Sequence, residues 1–346
     1  MVGSYGRAVT TGRATTGLAT WQDPGWRADA LGWATDQLTA HGLEPDGEPE
    51  QPHVRVWSTA FRFPLRGGGA AWLKAPGAGS AHEPVLSGVL GRWVPGAVLV
   101  PLAVDDDRRL LLLPDGGDRV RTTESDTAVW AALLAAYAQL QVELVGRVDE
   151  LLALGVPDLR PAALPGLVAD LLDDEDAQRT GQPDGLDPHV RDRVRADLPG
   201  YAAACRELAD GVPATVQHDD LHDGNVFAAD GRYRFFDWGD ASVAHPFLSL
   251  LVALRSASDV LAVPAGSPAL RRLRDAYLEP WSAFGSRREL REQCDLALRV
   301  APLARALSWR RILDGVHAEE RGEWQAAVAG WTAEHMAPGP LQAPAP

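Results

Sequence analysis

The chain has 346 residues, with 47 acidic against 33 basic side chains and a net charge of −14 at neutral pH. That balance opposes nonspecific binding to nucleic acid or to an anionic membrane surface, and no apolar run approaches the roughly 18 residues of a membrane span. The length predicts two domains or one large two-lobed one, and the two cysteines, Cys205 and Cys294, are too few for a disulfide framework, which fits a reducing cytoplasm.

Residues 1–20 mix Gly, Thr, Arg and Ser without periodicity or an apolar secretory core, so disorder is expected there. Asp23-Pro24 opens a helix, Trp26, Ala30, Trp33, Ala34 and Leu38 keep helical spacing, and Gly42 ends it. From His53 to Ala75 apolar and polar residues alternate over three short strands, the last two joined by Gly67-Gly68-Gly69, an ordinary hairpin turn. Lys74 closes the third strand. It is the single lysine among 33 basic residues, and in a chain otherwise reliant on Arg it points to a site needing a compact ammonium.

Ser80-Ala81-His82-Glu83 reads as a capping box at the start of the next helix. Ala97 to Leu102 and Arg109 to Leu113 are predicted as two more strands, turning at Asp105-Asp106-Asp107, a solvated hairpin tip. Pro114-Asp115-Gly116-Gly117-Asp118 is the clearest boundary. Beyond it the pattern turns helical over Asp126–Arg147, Leu164–Leu172 and Pro188–Ala209, the last predicted to break near Pro199-Gly200. The acidic run Asp173-Asp174-Glu175-Asp176 is expected to be a solvated loop, since a helix C-terminus disfavours negative charge.

The densest chemistry follows in His218-Asp219-Asp220-Leu221-His222-Asp223-Gly224-Asn225, then a strand, turn and strand, then Phe236-Asp237-Trp238. A hairpin of that length returns Asn225 and Asp237 to the same end, with Asp220 on the loop leading in. Two oxygen ligands and a further carboxylate around one point suit phosphoryl transfer, in which hard metal ions neutralise phosphates and a carboxylate orients a hydroxyl. His218 is expected to hold the loop, and His222 to be structural or near the acceptor. Further amphipathic helices follow at about 267–283, 286–313 and 317–335, and residues 337–346, with four prolines, are expected to be disordered.

The motif resembles that of the aminoglycoside phosphotransferase and choline kinase family, relatives of the protein kinases, usually written H-G-D-x-H-x-x-N followed by D-W. Two positions depart from it: Asp219 stands where the family has Gly, and Ser249 stands where an Asp braces the catalytic loop. The resemblance implies an α+β, bilobal kinase-like fold. Residues 21–113 would form a nucleotide-binding lobe with a five-stranded antiparallel sheet, 114–118 a hinge, and 119–336 a helical lobe with the acceptor pocket. It implies an ATP- and Mg²⁺-dependent, cytoplasmic small-molecule kinase acting on a hydroxyl of an amino sugar or other small alcohol. Asp220 would be the catalytic base, with Asn225 and Asp237 on the metal. Lys74 would bind phosphate with Glu83 as its partner, unless Glu83 only caps its own helix. Ser58 and Thr59 would cover the phosphates, and Leu113 or Asp115 would donate a backbone N–H to the adenine edge. Nucleic acid and membrane partners are not expected. The rival reading is a catalytically inactive nucleotide-binding regulatory module; a missing Lys, Asp or Asn would mark it, and none is missing.

Overall fold

In a computed structural model the described residues are 17–123, 125–229 and 231–342. The helix α1 (Leu18–Gln22) packs beside α2 (Pro24–Ala40). Asp23 starts α2 by accepting the Trp26 N–H at 2.7 Å, with Pro24 at the first turn, where its missing N–H costs nothing. The expected disorder over residues 1–20 therefore fails from Leu18 onward. The cause is Trp21, which is buried and donates its indole N–H to the Arg55 carbonyl. The first sixteen residues lie outside those described.

The strands β1 (Glu50–Arg55), β2 (Ser58–Pro64), β3 (Ala70–Pro76), β4 (Ala103–Asp105) and β5 (Leu110–Pro114) form one antiparallel sheet in the order β1-β2-β3-β5-β4. Period-two alternation sends Phe61, Phe63, Ala71, Leu73 and Leu112 to the face covered by α2. The opposite face carries Trp72, Leu111 and Leu113, which meet Phe227 from the rest of the molecule. Lys74 is paired with Ala60 and with Leu111, in the middle of that second face.

Ala97 to Leu102 is not a sheet strand, contrary to expectation. Pro101 has no N–H to give a ladder, and the segment instead crosses to the hairpin β8 (Val226–Ala229) and β9 (Arg232–Phe235). There Phe235 donates to Ala97 at 2.9 Å and Leu99 donates back at 3.3 Å. Sheet pairing resumes at Leu102, whose N–H donates to Leu112. Between these strands α3 (Glu83–Trp93) packs beside β4.

The remainder is mostly helical. The long α4 (Thr127–Glu143) is capped by Asp126, which accepts from Ala128 and Val129, and it packs against α9 (Pro268–Leu278). A small sheet of β6 (Asp158–Leu159), β10 (Ser242–Ala244) and β7 (Thr215–Gln217) lies at its centre. α10 (Arg287–Leu313) begins in a full capping box between Ser286 and Glu289 and runs 27 residues past the cleft. α5 (Val148–Ala153), α6 (Leu164–Asp173), α8 (Leu250–Val260) and α11 (Ala327–Glu334) complete the lobe.

Two further expectations need correction. The helix α7 (Pro188–Ala209) runs unbroken through Pro199. Burial of Tyr201, Ala204, Cys205 and Leu208 beyond it outweighs the roughly 3 kcal/mol that an interior proline costs. The acidic run leaves the end of α6 as the exposed stretch expected, carrying ion pairs at its surface: Asp173 meets Arg195, Asp174 meets Arg310 at 2.8 Å and Asp176 meets Arg321 at 3.8 Å. The tail is placed as far as Gln342, because Leu341 packs on the main core and Gly266 donates to Pro340; its last four residues are outside those described. Among the described residues no single helix is long and apolar enough to cross a membrane.

Candidate active site

β7 delivers the chain into the loop 218–225, and the loop is fixed before it reaches Asp220. The His218 backbone N–H donates to the Tyr137 hydroxyl at 2.8 Å, and its Nε2 bonds the Phe236 carbonyl at 2.8 Å. That second bond ties the loop to the residue preceding Asp237. Burial pushes the His218 imidazole down, so it is a neutral structural donor. Asp219 has φ 63°, the left-handed conformation that glycine adopts without cost, which is why a glycine suits this position.

Asp220 is held at both oxygens. Oδ1 accepts from Arg305 Nη2 at 3.0 Å, and Oδ2 accepts from Asn225 Nδ2 at 3.3 Å. His222 Nε2 lies 3.5 Å from Oδ2. Gly224 N–H and Arg121 Nη2 each lie 3.0 Å from His222 Nδ1, so the ring proton is on Nε2 and faces Asp220. Burial opposes the charge on Asp220, but His222 and Arg305 outweigh it and hold the carboxyl well below the usual range.

Across the cleft, Lys74 Nζ lies 2.6 Å from Glu83 Oε1 and 2.5 Å from Asp237 Oδ1. Glu83 does not cap α3, which has no side-chain cap, so the ion-pair reading of this residue stands over the capping one. Burial disfavours the ammonium, yet Asp237 and Glu83 more than offset it and Lys74 stays protonated. Burial pushes the Glu83 carboxyl up to about 7 against the pull of Lys74. Burial also opposes the charge on Asp237, where the Lys74 ammonium prevails and lowers the carboxyl.

Ser58, Thr59, Lys74, Leu113, Asp220, Asn225 and Asp237 line one cavity of about 400 Å³ between sheet and loop. Its inner wall is apolar: Leu99, Leu113, Trp72, Phe227 and Phe236, backed by Leu111, with the two phenylalanine rings stacked at 4.4 Å. Gly116 sits against this wall, where any Cβ would come within 2.3 Å of the Phe227 ring.

A model of the phosphotransferase enzyme family matches residues 95–292. The chain belongs to that family. It is an enzyme, a small-molecule phosphotransferase with a hydroxyl acceptor. Solved structures similar to this phosphotransferase include the macrolide 2'-phosphotransferase MphH from Brachybacterium faecium, 22% identical over 90% of this chain and 98% of that one, with a TM-score of 0.53. They include APH(2")-IIIa in its GDP and kanamycin complex, 16% identical over 89% and 99%, with a TM-score of 0.59. A choline/ethanolamine kinase family protein from Mesorhizobium loti is 17% identical over 89% and 94%, also at 0.59. At these identities the likeness is one of fold, and the bilobal kinase-like architecture is shown. No curated protein sequence matches the chain significantly.

Two predicted ligands of this phosphotransferase are placed otherwise. Thr59 borders the cavity, but its side chain is buried on the strand face it shares with Phe61 and Phe63, where its hydroxyl donates to the His53 carbonyl and accepts from Gln51, both at 2.9 Å. Strand periodicity gives the cleft only one of two successive side chains, and Ser58 has that phase. The Asp115 N–H donates to the Ala70 carbonyl at 3.1 Å, so it extends the sheet instead of facing a base. Sequence reasoning missed Tyr137, Arg121 and Arg305. Only Arg305 had a signal: one charge inside the apolar run Ala301-Pro302-Leu303-Ala304-Arg305-Ala306-Leu307, where an unpaired arginine could not be buried.

The oxygen donors suit a hard divalent cation. No cluster of three or more His, Cys, Asp or Glu among the described residues is arranged to hold a metal by itself. Asn225 and Asp237 would supply one amide and one carboxylate oxygen, the sparse protein contribution typical of Mg²⁺ completed by substrate phosphates. The Asn225 Nδ2 donates to the Asp220 carbonyl at 3.0 Å, which turns its oxygen the other way.

Proposed function

We propose that this phosphotransferase moves the γ-phosphate of ATP to the hydroxyl of a small molecule, an amino sugar or another small alcohol, in the cytoplasm. The observation that carries the reading is the Lys74 ammonium bonded to both Glu83 and Asp237 beside a cavity that Asp220 and Asn225 also line. In this reading residues 21–113 hold the nucleotide, 119–336 hold the acceptor, and 114–118 join them. The apolar wall of Leu99, Leu113, Trp72 and Phe227 takes the adenine, and Lys74 with Ser58 takes the phosphates.

Asp220 accepts a hydrogen bond from the acceptor hydroxyl and aims its oxygen at the γ-phosphorus. The carboxylate is held ionised by its neighbours, so it orients the hydroxyl and receives the proton late, as a loose transition state requires. Asn225 and Asp237 would hold Mg²⁺, which supplies charge neutralisation on the phosphate oxygens when bound. His222 donates to Asp220 through Nε2 and has Nδ1 already occupied by Gly224 and Arg121, so it steadies Asp220 and does not relay its proton. Two free, buried cysteines fit a reducing compartment.

A coupled assay of ADP release from MgATP tests this reading over aminoglycosides, choline-like alcohols, homoserine, ketosamines and nucleosides. At least one hydroxyl compound is expected to raise ADP release well above hydrolysis by water. A protein that binds ATP but shows no acceptor-dependent ADP release across the set would instead be a nucleotide-binding module.

A further inference from the structure

Arg305 lies on α10, 85 residues from Asp220 in sequence, and is 4% exposed. Its guanidinium meets three carboxylates from two separate segments. Nη2 donates to Asp220 Oδ1 at 3.0 Å, and Nη1 donates to Asp219 Oδ2 at 3.3 Å and to Asp240 Oδ2 at 2.6 Å. Asp219 and Asp220 belong to the loop after β7, whereas Asp240 belongs to the turn that follows Asp237. One planar group thus spans the two segments on which the proposed base and the proposed metal ligand sit.

The guanidinium is itself held. Its Cζ lies 5.5 Å from the Trp309 ring centroid, and Trp309 stacks on Trp324 at 5.4 Å. Both rings meet Trp57 edge-on, at 5.5 and 5.3 Å, and Trp57 occupies the turn between β1 and β2. Side-chain contact therefore runs from the turn over the nucleotide cleft, through Trp309, to Arg305 and Asp220.

We propose that Arg305 is a positioning residue for phosphoryl transfer, fixing the Asp220 carboxylate against rotation and setting its place relative to the Asp237 segment. The inference rests on the reading that Asp220 receives the acceptor hydroxyl. A planar fork with several donors on fixed bearings suits this task, and a flexible ammonium does not. The competing role is neutralisation alone, because three carboxylates gathered around one point, one buried and two partly so, need a cation whatever the chemistry.

Substitutions separate the two roles, with turnover read as ADP release from MgATP using the fastest acceptor among aminoglycosides, choline and nucleosides. Arg305→Gln is expected to lower kcat about 100-fold, the cost of a misplaced catalytic group, with KM for ATP changed no more than about twofold. The double variant Arg305→Gln/Asp240→Asn removes one uncompensated, half-buried carboxylate and is expected to regain thermal stability while kcat stays low. Arg305→Lys keeps the charge without the fork and is expected to keep the melting temperature while recovering only part of kcat. Wild-type kcat in the double variant or in Arg305→Lys would reduce Arg305 to a counter-ion and overturn the proposal. Asp220→Asn is the control for the reading beneath it. If Asp220→Asn is as active as wild type, the assignment of Asp220 fails and the inference goes with it; if it is inactive while the Arg305 variants turn over normally, the inference alone fails.

Discussion

The backbone N–H of His218 and the hydroxyl of Tyr137 are 2.8 Å apart, a bond between the start of the loop carrying Asp220 and the buried face of α4. The Tyr137 hydroxyl lies 3.3 Å from Ser249 Oγ, and Gln141 Nε2 donates to Ser249 at 3.4 Å and to the Val216 carbonyl at 2.8 Å. Ser249, which stands where a bracing carboxylate is usual, thus reaches the loop through tyrosine. Replacing Tyr137 by Phe leaves a buried N–H without its acceptor, at a cost of about 1–3 kcal/mol. Equilibrium urea unfolding is expected to show that loss, together with a lower kcat. Unchanged stability would mean that the loop is fixed elsewhere.

Gly116 makes a separate test of the apolar wall. An alanine there would press its methyl into the Phe227 ring, which lines the cavity. Overpacking of this kind costs about 1–3 kcal/mol. Gly116→Ala is therefore expected to raise the KM for ATP about tenfold or more, with a smaller effect on kcat, as steady-state kinetics at saturating acceptor will report.

Asp219 separates backbone strain from side-chain bonding. Its carboxylate accepts from Gln217 at 2.9 Å and from Arg305, while its backbone is left-handed at φ 63°. Asp219→Gly and Asp219→Ala both lose the carboxylate, but only Ala keeps the strain. The Gly variant is expected to be more stable than the Ala variant by about 1 kcal/mol, measured by chemical denaturation of the pair.

The buried histidines predict a pH dependence of stability. Burial, the first cause in each case, pushes His82 and His245 down from 6.5 to about 3. Between those values the unfolded chain takes up protons that the folded chain refuses. Their contribution is thus fully present above pH 6.5 and is lost as pH falls toward 3, at about 2 kcal/mol per histidine by pH 5. Melting temperatures measured from pH 8 to pH 5 should fall below about pH 6.5, and His245→Gln should fall less steeply. A flat profile for the wild type would contradict the burial argument.

The motif was legible because its chemistry is local: Asp220, Asn225 and Asp237 sit on one loop and one hairpin, whose two-strand geometry returns them together. Lys74 was legible through its rarity in the composition, and the end of the five-stranded sheet at Pro114 through the Gly and Pro that follow Leu113. What escaped was either a matter of strand phase or of distance along the chain. Ser58 and Thr59 look alike in sequence, yet strand parity sends one to the cleft and the other to the core. Apolar Ala97–Leu102 has strand composition, but only the fold decides that its partner is Phe235 across the lobes. Arg305 and Tyr137 reach the loop from helices far away in sequence, and no local pattern can announce such a meeting.

The most direct measurement of the central claim pairs two quantities on Asp220→Asn: its dissociation constant for MgATP by calorimetry, and its acceptor-dependent ADP release. Asn keeps the shape of the side chain but cannot take the proton of the hydroxyl. Affinity for MgATP within a few-fold of wild type, with turnover reduced by about 100-fold or more, is the predicted result. Turnover close to wild type would contradict the account.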